Sequence, residues 1–69
     1  MTVEEAYVIE CSNEGKKIPF IAILGSDGKA ESDFAEEWLD THGEYEIRQS
    51  LYIEKYDCVY IELLNKEDR

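Results

Sequence analysis

The chain has 69 residues, of which 17 are Asp or Glu and seven are Lys or Arg, so its formal net charge at pH 7 is −10. A negative field of this size argues against direct binding to DNA, RNA or an anionic membrane surface. The length corresponds to one domain, 1–69, and a hydrophobic fraction of 43% is too high for a disordered chain.

The first two predicted elements form a β-hairpin over residues 3–24. Residues 3–12 are predicted as a strand because apolar side chains alternate along them, with the period of two that strands have. Residues 18–24 are an unbroken apolar run of strand length, and a polar turn precedes them. The apolar face of the first strand comprises Tyr7, Ile9 and Cys11.

A helix is predicted after a turn at residues 25–29. Ser32 is a favourable N-cap residue, and Asp33 then lies in the first helical turn, where a negative charge is favourable. Gly43 has the position of the glycine that commonly follows a helix. At 100° per residue, one face of this helix is acidic and the other is apolar. The apolar face comprises Phe34, Ala35, Trp38, Leu39 and His42.

Two further strands, residues 44–53 and 58–64, complete the prediction, with a tight turn at 54–57 and a frayed polar tail at 65–69. The predicted fold is α+β with the order β-β-α-β-β: an antiparallel-rich four-stranded sheet with one helix packed on one face. In the third strand Tyr52 lies on the polar face. The apolar face of that strand comprises Tyr45, Ile47, Leu51 and Ile53.

One short helix cannot cover both faces of four strands. The second and fourth predicted strands carry apolar residues on both faces, so apolar surface is left over. Because exposed apolar patches commonly mark an interface, we expect a homodimer formed through the uncovered sheet face or an edge strand.

The chain has few residues suited to catalysis or to holding a cofactor or metal. Cys11 and Cys58 lie among apolar neighbours and are expected to be reduced core residues. The glycines of 25–29 lack the spacing of a phosphate-binding loop, and Ala30 stands where that loop needs Ser or Thr. His42 is the only histidine, which excludes a paired-histidine metal motif. We therefore expect no enzymatic activity, no cofactor and no metal.

The most informative feature is a segment, residues 30–47, that contains seven acidic residues and no Lys or Arg. On a helix, the five acids between positions 31 and 40 would place one charge per ~3 Å, close to the ~3.4 Å per phosphate of a DNA strand. A charged helix face that is merely solvated is the simpler alternative. The seven residues are Glu31, Asp33, Glu36, Glu37, Asp40, Glu44 and Glu46.

These carboxylates favour an anionic mimic of nucleic acid that occupies the basic surface of a DNA-binding protein. Tyr52 and Tyr56, beside the last predicted turn, are the candidate aromatic contacts, since Tyr is enriched at interfaces. The alternative is an acidic inhibitor that docks on a host enzyme through a sheet edge or the last hairpin, residues 52–60.

In size, acidity and predicted element order, the chain resembles the small host-takeover proteins of bacteriophages. This resemblance is one of shape and charge, and no motif transfers a family residue to a position here. It implies a DNA mimic that blocks the DNA-binding surface of the bacterial histone-like protein HU, or alternatively an inhibitor of host RNA polymerase. The acidic N-terminus is unlike a secretory signal, so we expect a cytoplasmic protein, in the host bacterium if a phage encodes it.

Overall fold

The structure is a computed structural model that describes residues 1–25 and 27–64. It confirms an α+β fold with a four-stranded sheet, but the element order is α-β-β-α-β-β rather than β-β-α-β-β. The predicted tail, 65–69, lies outside the described residues. The elements are α1 (Val3–Glu14), β1 (Phe20–Leu24), β2 (Ala30–Phe34), α2 (Ala35–His42), β3 (Ile47–Ile53) and β4 (Cys58–Leu63).

The sheet is mixed, with the strand order β2-β1-β4-β3. The two outer pairings, β1 with β2 and β3 with β4, are antiparallel, whereas the central pairing of β1 with β4 is parallel. The prediction of an antiparallel-rich sheet is therefore confirmed for the two outer pairings, but the central pairing is parallel, which was not predicted. A parallel pair needs a long connection, and here that connection contains β2, α2 and β3.

Residues 3–12 belong to α1, so the predicted first strand and the hairpin over 3–24 are wrong. Thr2 and Glu5 form a capping box: the Glu5 amide donates to the Thr2 hydroxyl at 3.3 Å, and the Thr2 amide donates to the Glu5 carboxylate at 3.0 Å. Hydrogen bonding by Thr2 also lowers the pKa of the Glu5 carboxyl. Gly15 ends the helix in the left-handed conformation, with φ 70°. Both signals are local and were present in the sequence.

The apolar pattern of α1 explains why it resembled a strand. Val3, Ala6 and Tyr7 are buried at the spacing of a helix face. Val8 and Ile9, however, are 58% and 43% exposed, which adds apolar residues outside that face. A helix with apolar residues on two sides gives a weak helical period, so the alternation over 3–12 was misleading.

Both helices pack on the same side of the sheet, over one core. The phenol of Tyr7 donates a 2.6 Å hydrogen bond to the backbone carbonyl of Ile18 inside this core. Burial raises the pKa of Tyr7 to about 12, so the phenol remains neutral and able to donate at ordinary pH. The core consists of Val3, Tyr7, Ile18, Ile21, Ile23, Ala35, Val59 and Ile61.

The second helix begins later than predicted. Ser32 and Asp33 lie in β2, so neither caps nor begins a helix, and the helix starts at Ala35. Phe34 is not on the apolar helix face: it is 60% exposed, and its ring stacks on that of Phe20 with the centroids 5.2 Å apart. Pairing with β1 thus overrides the local capping signal. Ala35, Trp38 and Leu39 do pack on the core as predicted.

Gly43 follows α2 as predicted, but for a different physical reason. Its φ is −55°, which any residue adopts, so the left-handed conformation is not what requires glycine. A Cβ at this position would instead lie 2.5 Å from the backbone carbonyl oxygen of Leu39. In addition, the carbonyl of Gly43 accepts a 3.0 Å hydrogen bond from the amide of Glu4. The end of α2 is therefore packed tightly against the start of α1.

We expect Gly43→Ala to lower the free energy of unfolding by about 1–3 kcal/mol, because the added methyl group meets backbone rather than a flexible side chain. Urea denaturation followed by circular dichroism measures this loss. Gly15→Ala is the comparison: nothing lies within 4 Å of its Cβ, so any cost there comes from the positive φ. Wild-type stability in Gly43→Ala would contradict the close approach of residue 43 to the backbone carbonyl of Leu39.

Strands β3 and β4 and the turn 54–57 occur where they were predicted, but the faces of β3 are not as predicted. The pairing with β4 shifts between Ile47 and Gln49, and such a bulge moves every later side chain to the other face. Tyr52 consequently packs on the core, opposite Val59. Leu51 points away from the helices and is 45% exposed.

Candidate functional site

Six of the seven predicted carboxylates lie on the side of the sheet that carries the helices, and Glu46 follows them in the extended segment next to the core-facing Ile47. Glu31 and Asp33 pair with Ile23 and Ile21, which point into the core beneath the helices, and paired residues share a face. The other five are on α2 and on its connection to β3, and all seven side chains are exposed. We call this set the acidic surface: Glu31, Asp33, Glu36, Glu37, Asp40, Glu44 and Glu46.

Two cationic groups reach the acidic surface. The ammonium of Lys17 lies 3.5 Å from Glu36, with both side chains more than 70% exposed, and the N-terminal amine lies 3.1 Å from Glu46. Exposed pairs of this kind contribute about 0–1 kcal/mol and are screened by salt. The remaining five carboxylates form no salt bridge with a described residue. The acidic surface therefore presents a net negative charge to an approaching protein.

An eighth carboxylate extends this surface, and sequence analysis missed it. Where α1 begins beside the end of α2, Glu4, Asp40 and Glu44 line a depression of about 240 Å³. Carboxylates around a concave site suit the ammonium or guanidinium group of a basic partner. Glu4 was missed because its segment was predicted as a strand, although the capping box at Thr2 and Glu5 indicated a helix there.

Tyr52 lies apart from the acidic surface, whereas Tyr56 lines the same groove as Glu31. The half-buried Tyr52 donates a 2.6 Å hydrogen bond to Asp57, and the ammonium of Lys16 lies 2.6 Å from the same carboxylate oxygen. Lys16 first, and then Tyr52, lower the pKa of Asp57. Tyr52 therefore helps to tie the end of α1 to the β3–β4 turn. Tyr56 is 65% exposed, and it borders a groove on the opposite side of the sheet.

The histidine and the two cysteines are the side chains that the sequence analysis considered for catalysis or metal binding. His42 lies with its ring centroid 4.6 Å from those of Trp38 and Tyr45. Cys11 and Cys58 are free thiols. Within residues 1–25 and 27–64, no three His, Cys, Asp or Glu side chains are arranged to hold a metal ion. Neither helix in that part of the chain has the length and hydrophobicity that crossing a membrane requires.

Comparisons with protein-family models, with curated proteins and with solved structures found no match to this chain. We therefore infer its function from the charge and shape of the described surfaces.

The side of the sheet opposite the helices is the second notable surface, and we call it the open sheet face. Cross-strand register arranges its side chains in rows that run from β2 to β3, and the first two rows are largely apolar. A groove of about 460 Å³ crosses this face, with Cys58 and Tyr56 among its lining residues. The two rows are Phe34, Phe20, Cys58 and Ile53, then Ser32, Ala22, Tyr60 and Leu51.

Proposed function

We propose that this protein is a non-enzymatic DNA mimic whose acidic surface binds the basic DNA-binding surface of an HU-like nucleoid protein. By occupying that surface, it competes with DNA. The observation that carries the proposal is a set of exposed carboxylates that follow one another from β2 through α2. Five of its seven members have no salt bridge with a described residue.

The later start of α2 changes the spacing of these charges. Glu31 and Asp33, two residues apart on a strand, are separated by about 6.6 Å along the chain. On α2, Glu36, Glu37 and Asp40 span about 6 Å along the helix axis, an average of one charge per ~3 Å. The charge density on α2 is therefore the value expected from a continuous helix, whereas the density on β2 is about half that value. The spacing on β2 is comparable to every second phosphate along one DNA strand, at about 6.8 Å, and that on α2 to successive phosphates.

A basic partner would recognise this surface by charge and by the depression beside Glu4. Lys and Arg side chains that bind phosphates form the same charge-assisted hydrogen bonds with carboxylates. The opposite charges of the two proteins would also accelerate their association, and added salt would slow it. The fold fixes the backbone of the strand and the helix that carry these carboxylates, so binding has to order only their side chains.

A competition titration tests the proposal. The protein is added to a fluorescent DNA duplex bound by purified HU, at about 50 mM and about 200 mM salt. We expect the duplex to be displaced, and more protein to be needed at the higher salt because screening weakens the opposed fields. Absence of displacement at both salt concentrations would contradict an HU-like partner.

A second candidate function is inhibition of host RNA polymerase, or of another host enzyme, through the sheet edge or the last hairpin. It is favoured by β2, an edge strand whose five residues are all exposed, and by the exposed ring of Tyr56. This function predicts that Tyr56→Ala weakens partner binding more than neutralising α2 does. Its salt dependence would also be weaker, since fewer charges take part.

A further inference from the structure

We propose that the outer edge of strand β2 binds an extended, basic segment of the partner protein, which joins the four-stranded sheet as a further strand. In this mode of binding, main-chain hydrogen bonds hold the added strand, and the side chains on its two faces determine which segment is accepted. The inference rests on the proposed function for the basic character of the partner. It adds how the β2 part of the acidic surface holds that partner.

The edge of β2 is regular and lacks the features that commonly prevent an edge strand from pairing with another chain. All five of its residues are exposed, they pair with β1 without a shift of register, and none of them is Lys, Arg or Pro. The other edge strand, β3, has a bulge between Ile47 and Gln49, and the Ile47 amide already donates to the carbonyl of Met1 at 2.9 Å. Of the two edges of the described sheet, β2 is therefore the one suited to strand addition.

Two hydrogen bonds that flank the pairing of β2 with β1 show which backbone groups face outwards. The Ala35 amide donates to the Pro19 carbonyl at 2.8 Å. At the other end, the Lys29 carbonyl accepts from the Gly25 amide at 3.0 Å. Antiparallel strands exchange hydrogen bonds at every second residue, so the odd-numbered residues of β2 bond to β1. The amides and carbonyls of the even-numbered residues consequently point away from the sheet.

The even-numbered residues are Ala30, Ser32 and Phe34. The Phe34 amide donates to the carboxylate of Asp33 at 2.8 Å, so it has a partner within β2. Ala30 and Ser32 each present an amide donor and a carbonyl acceptor on the outer side, where the described sheet has no further strand. An added strand would bond to these groups in the way that β1 bonds to the odd-numbered residues.

The charge on the helix side of β2 selects a basic strand. Glu31 and Asp33 are exposed there, and neither forms a salt bridge with a described residue. Opposite residues of neighbouring strands have Cβ atoms about 4.5–5.5 Å apart, so Lys or Arg at every second position of the added strand would contact these carboxylates. A second copy of β2 would instead bring carboxylates to the same face, and facing like charges are destabilising.

The other side of β2 favours apolar residues between the basic ones. The ring of Phe34 is 60% exposed and stacks on that of Phe20 with the centroids 5.2 Å apart. An apolar side chain of the added strand would cover part of this ring pair and remove it from water. The segment that fits the edge is therefore extended and alternates basic with apolar residues.

A synthetic peptide of alternating Lys and Val, long enough to pair with the five residues of β2, is the probe. Its affinity for the protein is measured by isothermal titration calorimetry at about 50 mM salt. We expect this peptide to bind and a peptide of alternating Glu and Val not to bind. Absence of binding by the Lys and Val peptide would overturn the proposal.

N-methylation of the peptide separates strand addition from simple attraction between opposite charges, and it leaves the protein unchanged. The Val amides face β2 in an antiparallel addition, and the Lys amides face it in a parallel one. Methyl groups on one of these two sets should weaken binding about tenfold, because main-chain hydrogen bonds are lost. The same number of methyl groups on the other set should leave the affinity nearly unchanged. Equal effects of the two sets would overturn the proposal.

Ser32→Pro tests the same contact from the side of the protein. Proline removes the outward amide of Ser32, which β1 does not use, so β2 should still form with its carboxylates in place. We expect this variant to bind the peptide about tenfold more weakly, whereas Ser32→Ala, which retains the amide, should bind like the wild type. Circular dichroism checks that both variants fold, and the methylated peptides decide the question if Ser32→Pro does not. Wild-type affinity in folded Ser32→Pro would overturn the proposal.

The competition titration with HU distinguishes this inference from the proposed function. Weaker displacement of DNA by Ser32→Pro than by the wild type would support strand addition. Equal displacement by the two proteins would leave the DNA mimic in place and overturn strand addition. If neither protein displaces DNA but one set of peptide amides is needed for binding, the HU-like partner is contradicted, and the edge of β2 is supported as a site for another basic protein.

Discussion

Replacing Glu36, Glu37 and Asp40 with Gln, Gln and Asn is expected to weaken binding to an HU-like protein about tenfold and to flatten its salt dependence. Each exposed charge pair contributes about 0.2–1 kcal/mol, so three together approach the 1.4 kcal/mol that corresponds to a factor of ten. The protein should still fold, because less repulsion between Glu36 and Asp40, one helical turn apart, offsets the loss of two favourable negative charges from the first turn of α2. The competition titration at two salt concentrations, with circular dichroism as a check of folding, measures both effects.

The matched control neutralises three carboxylates outside the acidic surface: Glu10→Gln, Glu14→Gln and Glu54→Gln, on α1 and the β3–β4 turn. Both triple variants have a formal charge of −7, so they differ only in which positions are neutralised. The control should displace DNA nearly as well as the wild type. Equal losses in the two variants would show that total charge, not the acidic surface, drives binding. Wild-type affinity in the α2 variant would contradict the proposed function.

Ile61→Ala is expected to lower the free energy of unfolding by about 2–5 kcal/mol, because Ile61 is fully buried at the centre of the sheet. At ~0.05–0.15 kcal/mol per residue, the stability of a chain this short is about 3–10 kcal/mol. The substitution would thus remove a large part of the stability of the protein. Urea denaturation followed by circular dichroism measures the loss.

Leu51→Ala is the control for this experiment. Leu51 lies on the neighbouring strand β3, but it points to the open sheet face and is 45% exposed. Its truncation should cost less than the loss at Ile61, because nearly half of the surface of Leu51 is already in contact with water. Comparable losses from Ile61→Ala and Leu51→Ala would mean that Leu51 faces the core, as the alternation of residues 44–53 had predicted.

The candidate site was only partly predictable. The exposure of the seven carboxylates follows from their chemistry, since charged side chains are rarely buried. The place of Glu4 in the site could be predicted only if α1 was recognised as a helix. The burial of Tyr52 depends on a bulge that no local sequence pattern indicates. Tyr56 is exposed as predicted, but its place in one groove with Glu31 follows from the side of the sheet that the β3–β4 turn borders.

The sequence by itself determined those parts of the fold whose signals are local. These parts are the apolar run of β1, the middle of α2 and the hairpin of β3 with β4, each of which depends on side chains close together in the chain. The caps of α1 are equally local, at Thr2 and Gly15, but a competing alternation of apolar residues concealed them. The acidity of the chain likewise needs no structure to be recognised.

Tertiary structure alone decided the rest, because it depends on contacts between distant residues. Pairing with β1 held residues 30–34 in a strand against their helix-capping signal. A bulge in β3 exchanged the faces of Leu51 and Tyr52. The parallel pairing of β1 with β4 placed both helices over one side of the sheet. That arrangement places the helices with their carboxylates on one side of the sheet and leaves the apolar open sheet face on the other. The reason is that packing one face of a strand or helix on the core fixes the direction of its remaining side chains.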